Sequence, residues 1–141
     1  ILIHLATVFP NTDLLRLSEL ARTIEWFNWL SGTVHSVAVR MVWRADYFAP
    51  VGDHEGIVLQ GWHHLRAAFA IIESRLAERS WAVGEAYSVV DPYLLVFYRW
   101  GNRIGIDMRG EYPGWTSHAL RLEDRLAVQE AFRREAISLW D

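Results

Sequence analysis

The sequence contains no cysteine and no lysine. The absence of cysteine excludes disulfide bonds, a thiol nucleophile and thiolate ligands for a metal ion, and it fits the cytoplasmic location that we predict. All 14 basic side chains are arginines, whose planar guanidinium groups favour forked contacts over the point charge of an ammonium. An all-arginine set can equally reflect the base composition of the genome.

Long apolar runs and excess positive charge are also missing. No run reaches the roughly 18 apolar residues of a membrane span, and no signal peptide is visible. The net charge of −3 is of the wrong sign to attract nucleic acid or an anionic membrane. No stretch alternates apolar and polar residues over the length of a strand, so strands are not expected. We therefore predict neither a membrane nor a nucleic-acid partner.

What is present is the composition of a folded domain. The 141 residues are 52% apolar and 22% charged, which suits one compact domain with a single core. The chain opens on the apolar segment 1–6, without a methionine, and this spacing fits the end of a helix that begins elsewhere. Pro10, followed by the turn-favouring residues 11–12, breaks that helix and predicts a linker.

Apolar residues recur at three, four or seven positions in several segments, a spacing that predicts about five helices. The third of them is apolar nearly all round, as is typical of a central helix that other helices cover. On the second, Glu73 is expected on the solvent side. The five expected helices run from about Leu17 to Phe48 with Ser18 as N-cap, from Asp53 to Arg79, from Ser88 to Ile104, from Pro113 to Asp124, and from Val128 to Leu139.

Ser88 and Asp91 have the spacing of a capping box at the start of the third helix. The Ser88 hydroxyl is expected to accept from the backbone N–H of residue 91, and the Asp91 carboxylate to accept from the N–H of Ser88. In an apolar helix such bonds satisfy donors that water cannot reach. Asp91 as a general base is the alternative, and the structural role is favoured because it already accounts for both residues.

The segment from Trp81 to Leu94 resembles one segment of the glutathione S-transferases. The family pattern reads aromatic-x-x-Gly, two spacers, aromatic, Ser-x-Ala-Asp-x-Tyr-Leu, and its Ser and Asp cap a buried core helix. Val90 stands where the family usually has alanine, and Leu126 where proline usually follows arginine. Further segments with a resemblance are 1–6, Arg99-Trp100, Ile106-Asp107, Tyr112-Pro113 and 125–129.

The resemblance implies an all-α fold, a glutathione S-transferase C-terminal-like bundle of about five helices around a central buried helix, in the bacterial beta-like class. Residues 1–12 would be the tail of the last helix of a thioredoxin-like domain plus a linker, and residues 13–141 the helical domain. The function implied is that of the C-terminal domain of a glutathione S-transferase. Such a domain supplies the hydrophobic electrophile site and part of a homodimer interface for glutathione conjugation.

In this family the glutathione thiol is activated by a Ser, Tyr or Cys of the thioredoxin-like domain, which also holds the glutathione backbone. We therefore expect glutathione as the co-substrate of the parent protein and a small hydrophobic electrophile as its second substrate. We expect no catalytic residue and no metal in this chain, and no transferase activity from the 141 residues alone.

Members of the beta-like class carry, on their first long helix, Trp-x-Asn and then His seven residues after the Asn. Asn28 and His35 match that spacing here and, on an α-helix, would lie on nearly the same face. The family often has Lys after this His, where this chain has Ser36, and Thr33 falls where an acidic glutathione contact is sometimes found. An ordinary solvated helix face is the alternative for these residues.

Three aromatic residues of the third helix match positions that line the family's hydrophobic substrate site or lie between them. Tyr93 and Trp100 are seven residues apart, and Phe97 stands between them. Burial in the core is the alternative interpretation for all three, and it is the favoured one for Phe97.

The histidines do not form a metal motif. His63 and His64 are adjacent and point about 100° apart on a helix, while His54, beside Asp53 and Glu55, lies outside the i, i+4 spacing. His4 and His118 carry no pattern. A surface location is therefore expected for the group around His63.

Two other functions stay open at this level. Several translation and stress proteins carry the same helical domain as a docking unit, so a non-catalytic binding or scaffold module is the main alternative. The replacements at Thr33 and Ser36 lean in that direction. A helical nucleic-acid binder is disfavoured because the sequence lacks a basic stripe.

Overall fold

A computed structural model of the chain describes residues 1–52 and 54–140. All regular structure in these residues is helical, and no strand occurs among them, so the predicted all-α class is confirmed. The length of the chain predicted one compact domain with a single core. The contacts group the residues into two compact units, Ile1–Thr23 with Glu73–Asp141, and Ile24–Ile72, and the division of the chain into residues 1–12 and 13–141 stays a prediction. None of the described helices is long and apolar enough to cross a membrane.

The described residues form eight α-helices, one π-helix and three short 3-10 turns. The 3-10 turns are Pro10–Thr12, Leu17–Glu19 and Ala45–Tyr47, and the π-helix is Leu30–Val39. The α-helices are α1 Leu2–Val8, α2 Leu20–Trp29, α3 Arg40–Trp43, α4 Glu55–Leu76, α5 Val90–Arg103, α6 Met108–Glu111, α7 Pro113–Glu123 and α8 Leu126–Glu135.

The predicted continuous helix over residues 17–48 is wrong in detail, because the segment changes its winding several times. Its central ten residues are a π-helix, in which the Arg40 N–H donates to the carbonyl of His35, five residues back. The Ser36 hydroxyl donates over the same interval to the carbonyl of Ser31, at 2.7 Å. Ser18 is not an N-cap, since it lies inside the 3-10 turn Leu17–Glu19, which has no capping side-chain hydrogen bond.

In the unit that contains α5, this helix is the most deeply buried element. Trp115, His118 and Leu122 of α7 are also fully buried, so these two helices form much of that unit's core. This arrangement confirms the predicted buried helix. Seven residues of α5 are buried: Val90, Asp91, Leu94, Leu95, Phe97, Tyr98 and Gly101.

The other boundaries differ from prediction by a few residues, and Asp53, the predicted start of α4, lies outside the described residues. The short helix α6 was missed because four residues are too few to show a periodicity. Helix α8 begins at Leu126 without the family's proline and ends at Glu135, and its C-cap residue Ala136 has a left-handed φ of 51°.

Glu73 of α4 was expected to face solvent, and this prediction is wrong. Its carboxylate accepts from the backbone N–H groups of Gly114 and Trp115, each at 2.8 Å. Both donors belong to the first turn of α7, which has no capping side chain of its own. Glu73 therefore supplies an N-terminal cap to α7 from a distant part of the sequence.

Candidate functional site

The first turn of α5 is held by the carboxylate of Asp91, which is fully buried. Its Oδ2 accepts from the Ser88 N–H at 2.7 Å and from the Ser88 hydroxyl at 2.9 Å. Its Oδ1 accepts from the Ala82 N–H at 2.8 Å and lies 2.8 Å from Nε2 of His118. Four donors around one carboxylate fill its acceptor sites, so the buried charge is hydrogen-bonded on every side.

The hydrogen bonds of the Ser88 hydroxyl differ from those that the capping box predicted. It donates to Asp91 and lies 3.3 Å from the N–H of Val90, whereas the N–H of Asp91 meets the Ser88 carbonyl at 3.3 Å. The second predicted bond is present, because the Asp91 carboxylate accepts from the Ser88 N–H. Since all its acceptor sites are occupied, Asp91 has no free oxygen for the general-base role that was its alternative.

His118 was not recognised in the sequence, yet it is fully buried and lies against Asp91. A carboxylate can only accept, so Nε2 must carry the hydrogen of this bond. The other ring nitrogen, Nδ1, has no hydrogen-bond partner among the described residues. The indole of Trp81 packs on the imidazole edge with centroids 6.2 Å apart. A histidine 27 residues from Asp91 gives no sequence signal, because only the packing of α7 on α5 brings them together.

The loop that carries Ala82 and Ser88 is also tied to the segment before α2. Arg16 donates to the carbonyls of Val83 at 3.3 Å and Ala86 at 3.1 Å. The Val89 N–H donates to the carbonyl of Leu14 at 3.0 Å. These long-range bonds fix the loop, and through it the start of α5.

Helix α5 presents a row of three aromatic rings, those of Tyr93, Phe97 and Trp100. The centroids of Tyr93 and Phe97 lie 5.0 Å apart, and those of Phe97 and Trp100 lie 5.3 Å apart in an edge-to-face contact. Phe97 is fully buried, while Tyr93 and Trp100 are half-buried. Burial raises the pKa of the Tyr93 phenol above its usual value, so the group stays neutral at physiological pH. The row thus offers two partly accessible apolar rings on a buried support.

The polar residues predicted on the first long helix lie in or near the π-helix. Asn28, Thr33 and Ser36 are exposed, and His35 is half-buried. Because a π-helix turns less per residue than an α-helix, the step of seven positions from Asn28 to His35 falls well short of two turns. The expectation of a common α-helical face is therefore wrong. The contacts of these residues with a ligand remain a prediction.

The residues around His63 do not assemble a metal site. The rings of His63 and His64 make an edge contact at 5.9 Å, and Nε2 of His54 lies 2.6 Å from the Ala49 carbonyl. The part of the chain that the structure describes contains no group of three side chains able to hold a metal ion. Asp53, which belonged to the same cluster in sequence, lies outside the described residues.

Comparison with known proteins places this architecture in a family. The family model of the glutathione S-transferase C-terminal domain matches residues 55–125, which are half of the chain. The chain therefore belongs to the glutathione S-transferase C-terminal domain family. The matched residues include the Asp91 network and the aromatic row of α5, but not the polar segment around His35.

Solved structures show the same fold. A sphingomonad glutathione S-transferase in complex with glutathione is 26% identical, with a TM-score of 0.79, over 97% of this chain and 66% of that one. A glutathione transferase from Methylococcus capsulatus is 27% identical, with a TM-score of 0.78, over 96% and 64%. The chain thus spans about two thirds of the length of these structures.

A curated relative adds a shorter match. The glutathione S-transferase GST-4.5 of Xanthomonas campestris is 33% identical over 46 residues, which are 33% of this chain and 22% of that protein.

Proposed function

We propose that the chain acts with a thioredoxin-like domain in a glutathione transferase of the beta-like class, where it supplies the apolar wall that binds a small hydrophobic electrophile. The observation that carries this proposal is the aromatic row of α5, which lies within the residues matched by the family. The similar sphingomonad enzyme was solved with glutathione, which supports glutathione as the co-substrate.

Within this proposal the three rings have different roles. Tyr93 and Trp100 contact the electrophile, because part of each ring is accessible. Phe97 is buried and acts as a positioning residue that holds the other two rings through its edge and tilted contacts. The Asp91 network fixes the start of the helix on which all three stand.

The group that activates the glutathione thiol would lie outside these 141 residues. The chain has no cysteine, and the one buried carboxylate of α5 is fully hydrogen-bonded. We propose that glutathione is bound mainly by the thioredoxin-like domain, that the parent protein is a cytoplasmic homodimer, and that the chain by itself is inactive. Asn28, Thr33, His35 and Ser36 stay secondary candidates for ligand contact.

Two measurements on the 141-residue chain test this. The first is turnover of glutathione with a chlorodinitrobenzene, for which we expect the uncatalysed rate. The second is calorimetric binding of the dinitrophenyl conjugate of glutathione, which we expect to weaken about tenfold in Trp100→Ala because an apolar ring contact is lost. Trp43→Ala, a change of a 40% exposed tryptophan on α3, is the matched control and should bind as the parent chain does.

The proposal fails if the chain alone turns over substrate above background, or if Trp100→Ala binds the conjugate as tightly as the parent chain. Circular dichroism of both variants separates a lost contact from a lost fold.

A non-catalytic binding module is the second candidate function, and one observation favours it. The Ser36 hydroxyl, at the position where the family often has lysine, is bonded to the Ser31 carbonyl inside the π-helix. It offers neither a charge nor a free donor hydrogen to a substrate. If the protein is such a module, the conjugate will not bind even when the thioredoxin-like domain is present.

A further inference from the structure

Two arginines of the α7–α8 region lie on two aromatic rings of the loop before α5. The Arg125 guanidinium lies 3.7 Å from the ring centroid of Tyr87, and that of Arg121 lies 5.7 Å from the ring of Trp81. The two rings touch each other edge to face, with centroids 5.4 Å apart. We call these four residues the arginine–aromatic face.

Hydrogen bonds of the backbone on either side of Trp81 fix part of the arginine–aromatic face. The backbone N–H of Ala82, next to Trp81, donates to buried Asp91 at 2.8 Å. The Arg121 side chain donates to the Ser80 carbonyl at 2.8 Å, which fixes one end of its guanidinium. The Tyr87 ring is half-buried, and burial raises the pKa of its phenol, with Asp91 adding to the rise and Arg125 opposing it. The ring is therefore neutral, and the positive charge above it is not cancelled by a phenolate.

Among residues 1–52 and 54–140, neither arginine has a carboxylate partner. No ion pair joins Arg121 or Arg125 to any acidic side chain of the described residues, and the guanidinium of Arg125 forms no hydrogen bond among them. The chain has 17 acidic residues and a net charge of −3, so partners are not scarce. On α8, by contrast, Arg133 and Arg134 share the carboxylate of Glu130.

A guanidinium held over an aromatic ring by a cation–π contact loses little rotamer freedom when its remaining N–H groups bind an acceptor. Two such groups on adjoining rings present two forks of donors, and a tetrahedral oxyanion has enough oxygens to accept from both. A carboxylate offers two oxygens whose acceptor sites lie in one plane, whereas a tetrahedral oxyanion offers oxygens in several directions.

We propose that the arginine–aromatic face is a binding site for a tetrahedral oxyanion, phosphate or a phosphate ester. The two forks hold the oxygens, and the rings of Trp81 and Tyr87 form the floor. The site is separate from the aromatic row of α5, and its existence does not depend on the proposed transferase function.

The test is a titration of the ¹⁵N-labelled 141-residue chain with inorganic phosphate, at constant ionic strength, followed by NMR. We expect saturable shifts at the backbone amides of Trp81, Tyr87, Arg121 and Arg125, with a dissociation constant on the order of 1 mM. Acetate at the same concentrations should bind more weakly. Arg125→Lys keeps the charge but removes the fork, so we expect its affinity for phosphate to fall about tenfold.

Arg134→Lys, a change of an exposed arginine already paired with Glu130, is the matched control and should bind phosphate as the parent chain does. Shifts that never saturate, equal affinity in Arg125→Lys, or tighter binding of acetate than of phosphate would overturn the proposal. The dispersion of each variant's spectrum shows whether it is folded, and Arg121→Lys gives a second measurement if Arg125→Lys is not.

Discussion

His118 of α7 and Asp91 of α5 form a fully buried pair, with Nε2 of the histidine 2.8 Å from Oδ1 of the aspartate. The pair connects two helices through a carboxylate that also binds the loop preceding α5. Burying the Asp91 carboxylate costs free energy, and that cost stays small only while each of its hydrogen-bond donors is in place. The strongest stability predictions therefore concern Asp91.

Asp91→Asn should destabilise the chain by about 3 kcal/mol. The amide replaces one acceptor oxygen by donors, which would face the N–H groups of Ala82 or Ser88 and the donor nitrogen of His118. Urea unfolding followed by circular dichroism at pH 7 measures the change. Glu130→Gln, which weakens surface ion pairs with Arg133 and Arg134 on α8, serves as the control and should change the free energy of unfolding by less than about 1 kcal/mol.

Glu73→Gln should destabilise the chain by about 1–2 kcal/mol, because one of the two oxygens that cap α7 is replaced by a donor. Glu78→Gln, on an exposed residue just beyond the end of α4, is the matched change and should have no measurable effect. Equal unfolding midpoints for the two variants would show that the cap contributes nothing to stability.

Leu139→Ala should cost about 2–5 kcal/mol although the residue lies near the end of the chain. Leu139 is fully buried, and its carbonyl accepts from Asn102 of α5 at 2.9 Å, so the segment after α8 belongs to the core. Leu126→Ala removes the same atoms from a side chain that is 83% exposed and should change stability by less than about 0.5 kcal/mol. Thermal and urea unfolding of both variants measure the two changes in stability. Similar losses of stability in Leu139→Ala and Leu126→Ala would contradict the placement of Leu139 in the core.

Stability should fall at alkaline pH through Tyr98. Burial raises the pKa of this phenol above 10, although its hydrogen bond with Thr116 opposes the rise. A pKa that is higher in the folded state favours the protonated form there. The contribution is therefore complete below pH 10 and is lost as the pH rises through the folded-state pKa.

Urea unfolding at intervals between pH 8 and 12, with tyrosinate absorbance recorded in parallel, checks this expectation. Tyr98→Phe should lose about 1 kcal/mol at pH 7, where a hydrogen bond is missing, and should show a shallower alkaline decline. An alkaline decline as steep in Tyr98→Phe as in the parent chain would assign the effect to other groups.

Much of the helical framework could be predicted from local patterns. The unbroken apolar character of residues 88–104 indicated a buried helix, and the Ser88–Asp91 spacing indicated where it begins. The π-helix could not be predicted, because its apolar residues also fit an α-helical period, and the two differ only in which carbonyl each N–H reaches. For the same reason the phase of His35 relative to Asn28 was wrong.

The candidate site likewise contains some residues that could be predicted from local patterns and others that could not. Tyr93 and Trp100 could be selected because they stand on one periodic stripe of one helix. His118 and Glu73 could not, because each acts on a partner 27 or more residues away and neither belongs to a local motif. Arg121 and Arg125 likewise acquire a common role only because the loop returns Trp81 and Tyr87 to them.

The sequence by itself determined the all-α class, the helix that would be buried and the family resemblance. These depend on periodicity and short spacings, which act over a few residues of the chain. Only the tertiary structure decided which donors surround Asp91, which carboxylate caps α7, and which arginines lie on the aromatic rings of Trp81 and Tyr87. Such contacts join residues far apart in the chain, and hydrogen bonds between them form only when packing brings the atoms within about 3 Å.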